Sequence, residues 1–368
     1  MEKQILLERI KKSGVVIKSV VLAFMFAQLS APVVLAQGSL GEEQAAEKIE
    51  LENMKQEMKD INVTTDEAIR ALNKIDTTAA KRLPREIHLF CKEALCEISP
   101  GVKINCLTYN GHIPGPQIVA QEGELLRVIL HNQLKVPTSL HFHGMTLPQG
   151  IDGLPRTEAG LVKPGETYAF QFIAQPKGTY WYHPQIIHAE QKARGLSGAL
   201  VVVPAEASKT CDREFIIVFG DLLTKSKPGA AAADAAKTLV AVAPTNHQNE
   251  ANETTNYFLA NGQSAPAIPA IEVSEGMRVR LRLINASQHE IPLHLSGHRF
   301  DIVSVNGDLV QNQTPRDTIT LEVSDRVDLE FTANNPGVWS LASEKVEETT
   351  SNGKFPGGIA CVVRYVPK

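Results

Sequence analysis

Two short stretches carry imidazoles at a spacing that can hold a metal ion. Residues 139–144 read SLHFHG, and residues 178–185 read GTYWYHPQ. Successive side chains of an extended strand alternate between its faces, so His141 and His143 project to one side. His183 ends the second, aromatic run. Two residues further on, where another imidazole would share its face, the chain holds Gln185. Imidazole nitrogen suits copper and zinc, and several imidazoles on converging strand ends point to a metal site. A lone strand histidine is ordinarily packed or solvated. That is the reading for His88, His112, His131, His247 and His289.

The elements that must position these groups are β-strands. Twenty-one prolines and twenty-five glycines punctuate short Val/Ile/Leu/Thr runs, the pattern of strands joined by many turns. An internal repeat organises them. Gly123 precedes RVILHN and SLHFHG, and Gly276 precedes RVRLRLIN and PLHLSG. In each copy an asparagine (Asn132, Asn285) and then a histidine (His141, His294) follow at matching distances. A second pair of segments, 163–185 and 322–344, aligns without gaps and sets Phe172 on Phe331, Gly178 on Gly337 and Tyr180 on Trp339. Two copies of one β-domain are expected, at 85–205 and 206–368, each a Greek-key sandwich or barrel. The polar, Ala-rich stretch 225–255 reads as a long loop with one helical turn.

Composition bounds the partners. At 368 residues, 43% hydrophobic and 21% charged, the chain is an ordinary globular one, and its net charge of −4 with no basic patch gives no reason to expect nucleic acid. Lys3, Arg9, Lys11, Lys12 and Lys18 precede an apolar run and the small residues Val34 and Ala36. This predicts a signal peptide over 1–36, cleaved after Ala36, and an exported body, periplasmic or extracellular. Membrane contact would follow only from an uncleaved N-terminal anchor. A charged, helix-favouring extension covers 37–84, with an amphipathic helix within 38–61 and a second, capped by Thr65, over about 66–75. Five cysteines, Cys91, Cys96, Cys106, Cys211 and Cys361, allow up to two disulfides or none, and spacing does not choose.

Beyond these readings, the chain resembles the multicopper oxidase family in its two-domain cupredoxin form, which includes laccases and copper nitrite reductases. The resemblance rests on TYNGHIPGPQI, PTSLHFHG, GTYWYHP with EQ and GLSGAL beyond it, RLRLINAS, IPLHLSGHRF and NNPGVW, and it covers nearly all of the chain after the N-terminal helices. It implies an all-β protein of two cupredoxin-like sandwiches, copper as the metal with zinc as an alternative, and a homotrimer with metal at domain and subunit boundaries.

The resemblance also implies which positions should ligate. The family's HxHG is met by His141 and His143. Its HxH is met by His183 but broken at Gln185. Its HPxHxH survives only at His294, with Ile291 and Ser296 in the outer places. Its HCHxxxH is replaced by Ala342, Ser343, Glu344 and Glu348. The type-1 copper, which needs two histidines and a cysteine, would find Ile291, Glu348 and Ser343. One type-3 copper would find Gln185, Ser296 and Ala342. The type-2 positions His141 and His294 remain, and the second type-3 set keeps His143 and His183, with Glu344 as a carboxylate. In nitrite reductases the type-2 ligands match His143 and His183, a catalytic histidine matches His294, and a catalytic aspartate falls at His141. His188 belongs to a segment that is often histidine-rich in relatives.

Three functions follow as expectations. The first is a reduced, mononuclear copper or zinc site of His141, His143, His183, His294 and Glu344 in a protein without laccase activity. The second is a mononuclear type-2 copper oxidoreductase acting on a small anion or oxygen species. The third is a metal-free interaction module.

Overall fold

The computed structural model describes residues 83–148, 151, 161–185, 189–205, 211–226, 239–242, 254–311, 314–350 and 355–367. The expected signal peptide and both N-terminal helices lie outside them. From Pro84 onward the chain forms one compact unit, and it is built almost wholly of strands.

The repeat is visible strand by strand. In the first half, β4 (Leu125–Asn132), β5 (His141–His143), β6 (Thr167–Ile173), β7 (Gly178–His183) and β8 (Gly198–Val203) follow β1 (Arg85–Ser99), β2 (Val102–Tyr109) and β3 (Ile118–Gln121). In the second, β13 (Arg278–Asn285), β14 (Ile291–Leu295), β18 (Arg326–Thr332), β19 (Val338–Ser343) and β20 (Ala360–Tyr365) take the places of β4 to β8, with β12 (Ile271–Val273) in the place of β3. A four-stranded sheet runs β3-β8-β7-β5, and its counterpart runs β12-β20-β19-β14, continued by β17 (Thr318–Leu321). Each closes against a larger sheet over its own core. One core gathers residues between Leu89 and Val202, the other residues between Ile217 and Val363.

The repeated asparagines explain why the copies fold alike. The Asn132 amide donates to the carbonyls of Val136 and Val162 and accepts from the Leu134 N–H. Asn285 donates to those of His289 and Leu321 and accepts from the Ser287 N–H. Both side chains are buried, where an unpaired amide would be costly, and each ties its turn to the strand that follows. The glycines before them, Gly123 and Gly276, sit at φ 87° and 85°, a region open to glycine and strained for other residues.

One expectation is corrected. The stretch read as a loop over 225–255 contains a strand, β10 (Leu239–Val242), which pairs antiparallel with β9 (Arg213–Ser226) and parallel with β2. β11 (Thr254–Ala260) then returns along β9. The short run Leu-Val-Ala-Val is apolar enough for a strand, but its Ala-rich surroundings hide it. Through β10 the large sheets of the two halves become one, of eleven strands.

Candidate metal centre

The ligand cluster grows out of strand alternation. In β7, Tyr180 and Tyr182 turn into the first core, while Thr179, Trp181 and His183 face the other way. In β5, Phe142 turns into that core and leaves His141 and His143 on the opposite face. The strands are antiparallel, with His141 opposite His183 and His143 opposite Trp181. Three imidazoles and one indole therefore share a small patch. One ring nitrogen from each of His141, His143 and His183 lies within 4.8 Å of the others, the only group of at least three His, Cys, Asp or Glu among the described residues placed to hold a metal.

The tautomer of His183 is set by the backbone. Its Nδ1 lies 2.7 Å from the Pro184 carbonyl, which only accepts, so Nδ1 carries the hydrogen and Nε2 presents a lone pair. That Nε2 stands 3.4 Å from Nδ1 of His143. Two imidazole nitrogens bound to one cation at about 2.0–2.1 Å in a tetrahedral arrangement lie about 3.4 Å apart, so this pair is already at chelating distance. Burial lowers the His143 pKa to about 4 and that of His183 to about 3, helped by the neighbouring imidazoles and Lys192 and, for His143, by Arg326. Both rings are neutral near pH 7, the form that binds a metal. A hydrogen bond from the far ring nitrogen to a carbonyl is the outer support that metal-bound histidines ordinarily have. The donor set fits copper.

Packing fixes the rings. Trp181 lies 4.1 Å from His183 and 5.1 Å from His143, centroid to centroid, and Lys192 sits 5.7 Å from the indole on its short helix α1 (Ala189–Ala193). Gly144 turns the chain at φ 88°, and a Cβ there would run into the Arg326 guanidinium. Arg326 in turn donates to the Thr179 carbonyl at 2.9 Å. Gln185 contributes through its backbone: its N–H donates to Ser139 Oγ at 3.1 Å and its carbonyl accepts from the same hydroxyl at 3.4 Å, clasping β5 to β7 just beyond the histidines.

Within one chain, His294 and Glu344 do not join this cluster. His294 lies on β14 opposite Ala342, the repeat-equivalent pair to His141 and His183. Glu344 is exposed just after β19, its N–H donating to the Pro292 carbonyl. His188 falls outside the described residues.

The second half holds ion pairs where the first holds imidazoles. Ser343 Oγ donates to Glu348 Oε2 at 2.6 Å. The other oxygen of Glu348 lies 3.2 Å from His289 Nε2, a charge pair without the alignment of a directed hydrogen bond, and 3.4 Å from Lys345 Nζ. His289 Nδ1 faces Asp221 at 3.9 Å. Ile291 is fully buried in the second core. Burial pushes the Glu348 carboxyl up, but His289, Ser343 and Lys345 outweigh it and hold the group below the usual carboxylate range. Contact with Glu348 raises the His289 pKa against the effect of burial, with Asp221 adding to the rise. The sequence around His289 is that of an isolated strand histidine. Its partners lie 59 and 68 positions away, and no local pattern announces them.

Comparison with known proteins agrees with this architecture. Two family models described as multicopper oxidase match residues 91–207 and 237–352. The chain belongs to the multicopper oxidase family. It is 28% identical over 267 residues to a copper-containing nitrite reductase of Neisseria gonorrhoeae, covering 71% of this chain and 64% of that protein. It is 28% identical over 260 residues to the multicopper oxidase MmcO of Mycobacterium tuberculosis, covering 66% and 51%. The chain thus spans between half and two thirds of these relatives. The crystal structure of a blue copper oxidase from Nitrosomonas europaea superimposes with a TM-score of 0.66 at 27% identity, covering 77% of this chain and 86% of that one. A copper nitrite reductase from Nitrosomonas europaea, at 20% identity and TM-score 0.60, shares the fold.

Proposed function

We propose that this is an exported copper-binding member of the family that keeps one mononuclear site, at His141, His143 and His183, and lacks the type-1 centre through which electrons enter. The observation that carries the reading is the convergence of three imidazole nitrogens within 4.8 Å, with His183 already committed to the ligating tautomer. A blue copper site requires two histidines and a thiolate. The corresponding positions here are Ile291, Ser343 and Glu348, and the last two are bound to each other.

Copper held there would offer a Lewis acid and, where a reductant reaches it, one-electron exchange. His183 and His143 supply the donor nitrogens, Pro184 fixes the orientation of one ring, and Trp181 shields it from water. His294 and Glu344 complete the site from a neighbouring subunit of a trimer, because both lie on the second half and outside the cluster of their own chain. Zinc is the alternative cation for the same donors.

Copper loading tests the reading. Loaded protein should show no intense thiolate-to-copper absorption in the visible and no oxidation of phenols. A strong blue colour in folded protein would overturn it. Sustained turnover of nitrite or peroxide would favour the mononuclear oxidoreductase instead, and absence of bound copper the interaction module. A copper-loaded monomer with full affinity in sedimentation would remove the inter-subunit part.

A further inference from the structure

The five cysteines divide into three isolated thiols and one pair. Cys91 belongs to the first core and Cys361 to the second, and Cys211 donates to Glu214 at 3.4 Å. Cys96 and Cys106 stand on the neighbouring antiparallel strands β1 and β2. Their register sets Ala94 opposite Cys106 and Cys96 opposite Ile104, so the two cysteines are diagonal neighbours on one face, a relation that brings side chains into reach. The same small apolar cluster receives both, together with Ile98, Ile104 and Leu222. Their S–H groups donate to backbone carbonyls close by, Cys96 to Gly111 at 3.8 Å and Cys106 to Ile104 at 3.6 Å.

The pair is asymmetric. Cys96 is half-buried and reachable, whereas Cys106 is sealed. The nearness of Cys106 draws the Cys96 thiol below its ordinary pKa against the effect of burial. The same nearness, together with burial, raises that of Cys106. A thiolate is the attacking species in disulfide exchange. An accessible thiol beside a sealed one on the neighbouring strand is the arrangement of an attacking and a resolving sulfur.

We propose that Cys96 and Cys106 form a thiol–disulfide exchange site that accepts low-molecular-weight disulfides such as oxidised glutathione and closes into a cross-strand disulfide between β1 and β2. The Cys96 thiolate attacks one sulfur of the donor, forming a mixed disulfide and releasing one thiolate. Cys106 then loses its proton, its sulfur attacks the Cys96 sulfur, and the second small thiol leaves. Two protein thiols lose two electrons, the donor disulfide gains them, and the two protons end on the released thiols. The bond would fasten β1 beside its contacts with the second half, where the Ser264 N–H donates to the Ile98 carbonyl at 2.8 Å and Gln263 Nε2 to that of Glu97 at 2.9 Å. The inference is independent of the copper site.

The test is a cysteine map of the full chain, reduced and then exposed to oxidised glutathione. The expected product is an internal Cys96–Cys106 bond, with Cys91, Cys211 and Cys361 still alkylated as free thiols after unfolding. The Cys106→Ser variant should instead retain one glutathione on Cys96, and Cys96→Ser should acquire neither glutathione on Cys106 nor an internal bond. The wild-type map decides even if a variant misfolds. An unmodified Cys96, a lasting glutathione adduct on it in the wild type, or its pairing with another cysteine would each overturn the proposal.

Discussion

The pairs β5–β7 and β14–β19 occupy equivalent places in the two halves, yet one carries a cluster of imidazoles and the other does not. His141 faces His183 across the first pair, and His294 faces Ala342 across the second. Both copies use a buried asparagine to close the turn before the strand and a glycine at positive φ to enter the preceding one. The backbone frame is thus maintained independently of the ligands. What differs is a handful of side chains: three clustered imidazoles in the first half, and Ser343, Glu348, Lys345 and His289 in the second. An ion cluster can occupy such a strand end when every charge finds a partner, since an unpaired buried charge is expensive.

The largest expected effect falls on the first half. His183→Ala should weaken copper binding by about 100-fold or more, because loss even of a ligand's outer partner costs about 10–100-fold. Competition against a chelator of known affinity measures this, and an unchanged affinity would erase the distinction between the halves.

The second half should respond in stability. Glu348→Gln keeps the size of the side chain but leaves His289 with Asp221 alone and Lys345 with Glu290 alone. Denaturant unfolding should show a loss of about 1–3 kcal/mol, with copper affinity unaltered. A loss of copper affinity in this variant would mean that the two regions act together.

The same ion pair should have a pH signature. Glu348 has its folded pKa below its ordinary 4.5, so its contribution is present above that value and is lost as pH falls through the folded one. His289 has its folded pKa above its ordinary 6.5, so its contribution is present below that value and is lost as pH rises through the folded one. The pair stabilises most between those limits. Unfolding midpoints of wild type and His289→Ala should therefore differ most between pH 4.5 and 6.5 and converge on either side. A difference independent of pH would assign His289 a packing role alone.

Gln185→Ala should change least. Gln185 clasps Ser139 through its backbone, which alanine keeps, so copper affinity should move by less than about threefold, under the range for losing a ligand's support. A large loss would place its side chain on the metal.

Much of this contrast was legible in the sequence. Two-residue spacing put His141 and His143 on one face, and the gapless alignment of 163–185 with 322–344 foretold that Ala342 stands where His183 does. The cross-strand meeting of His183 with the other two was also expected, because both runs end strands in a repeated sandwich. Other features depend on contacts between distant segments. Arg326 filling the space beside Gly144, and Asp221 and His289 gathered around Glu348, leave no trace in local pattern. Strand β10 was missed because four apolar residues within an Ala-rich stretch give too short a period to read.

We propose His143 and His183, with His141, as the ligands of a single copper without a thiolate. Pulsed electron paramagnetic resonance on protein loaded with one equivalent of copper(II), compared with His183→Ala, tests it most directly. Imidazole nitrogen couplings are expected in the wild type, a reduced set in the variant, and no sign of sulfur coordination. Copper bound without imidazole couplings, or with the same couplings in both proteins, would contradict it.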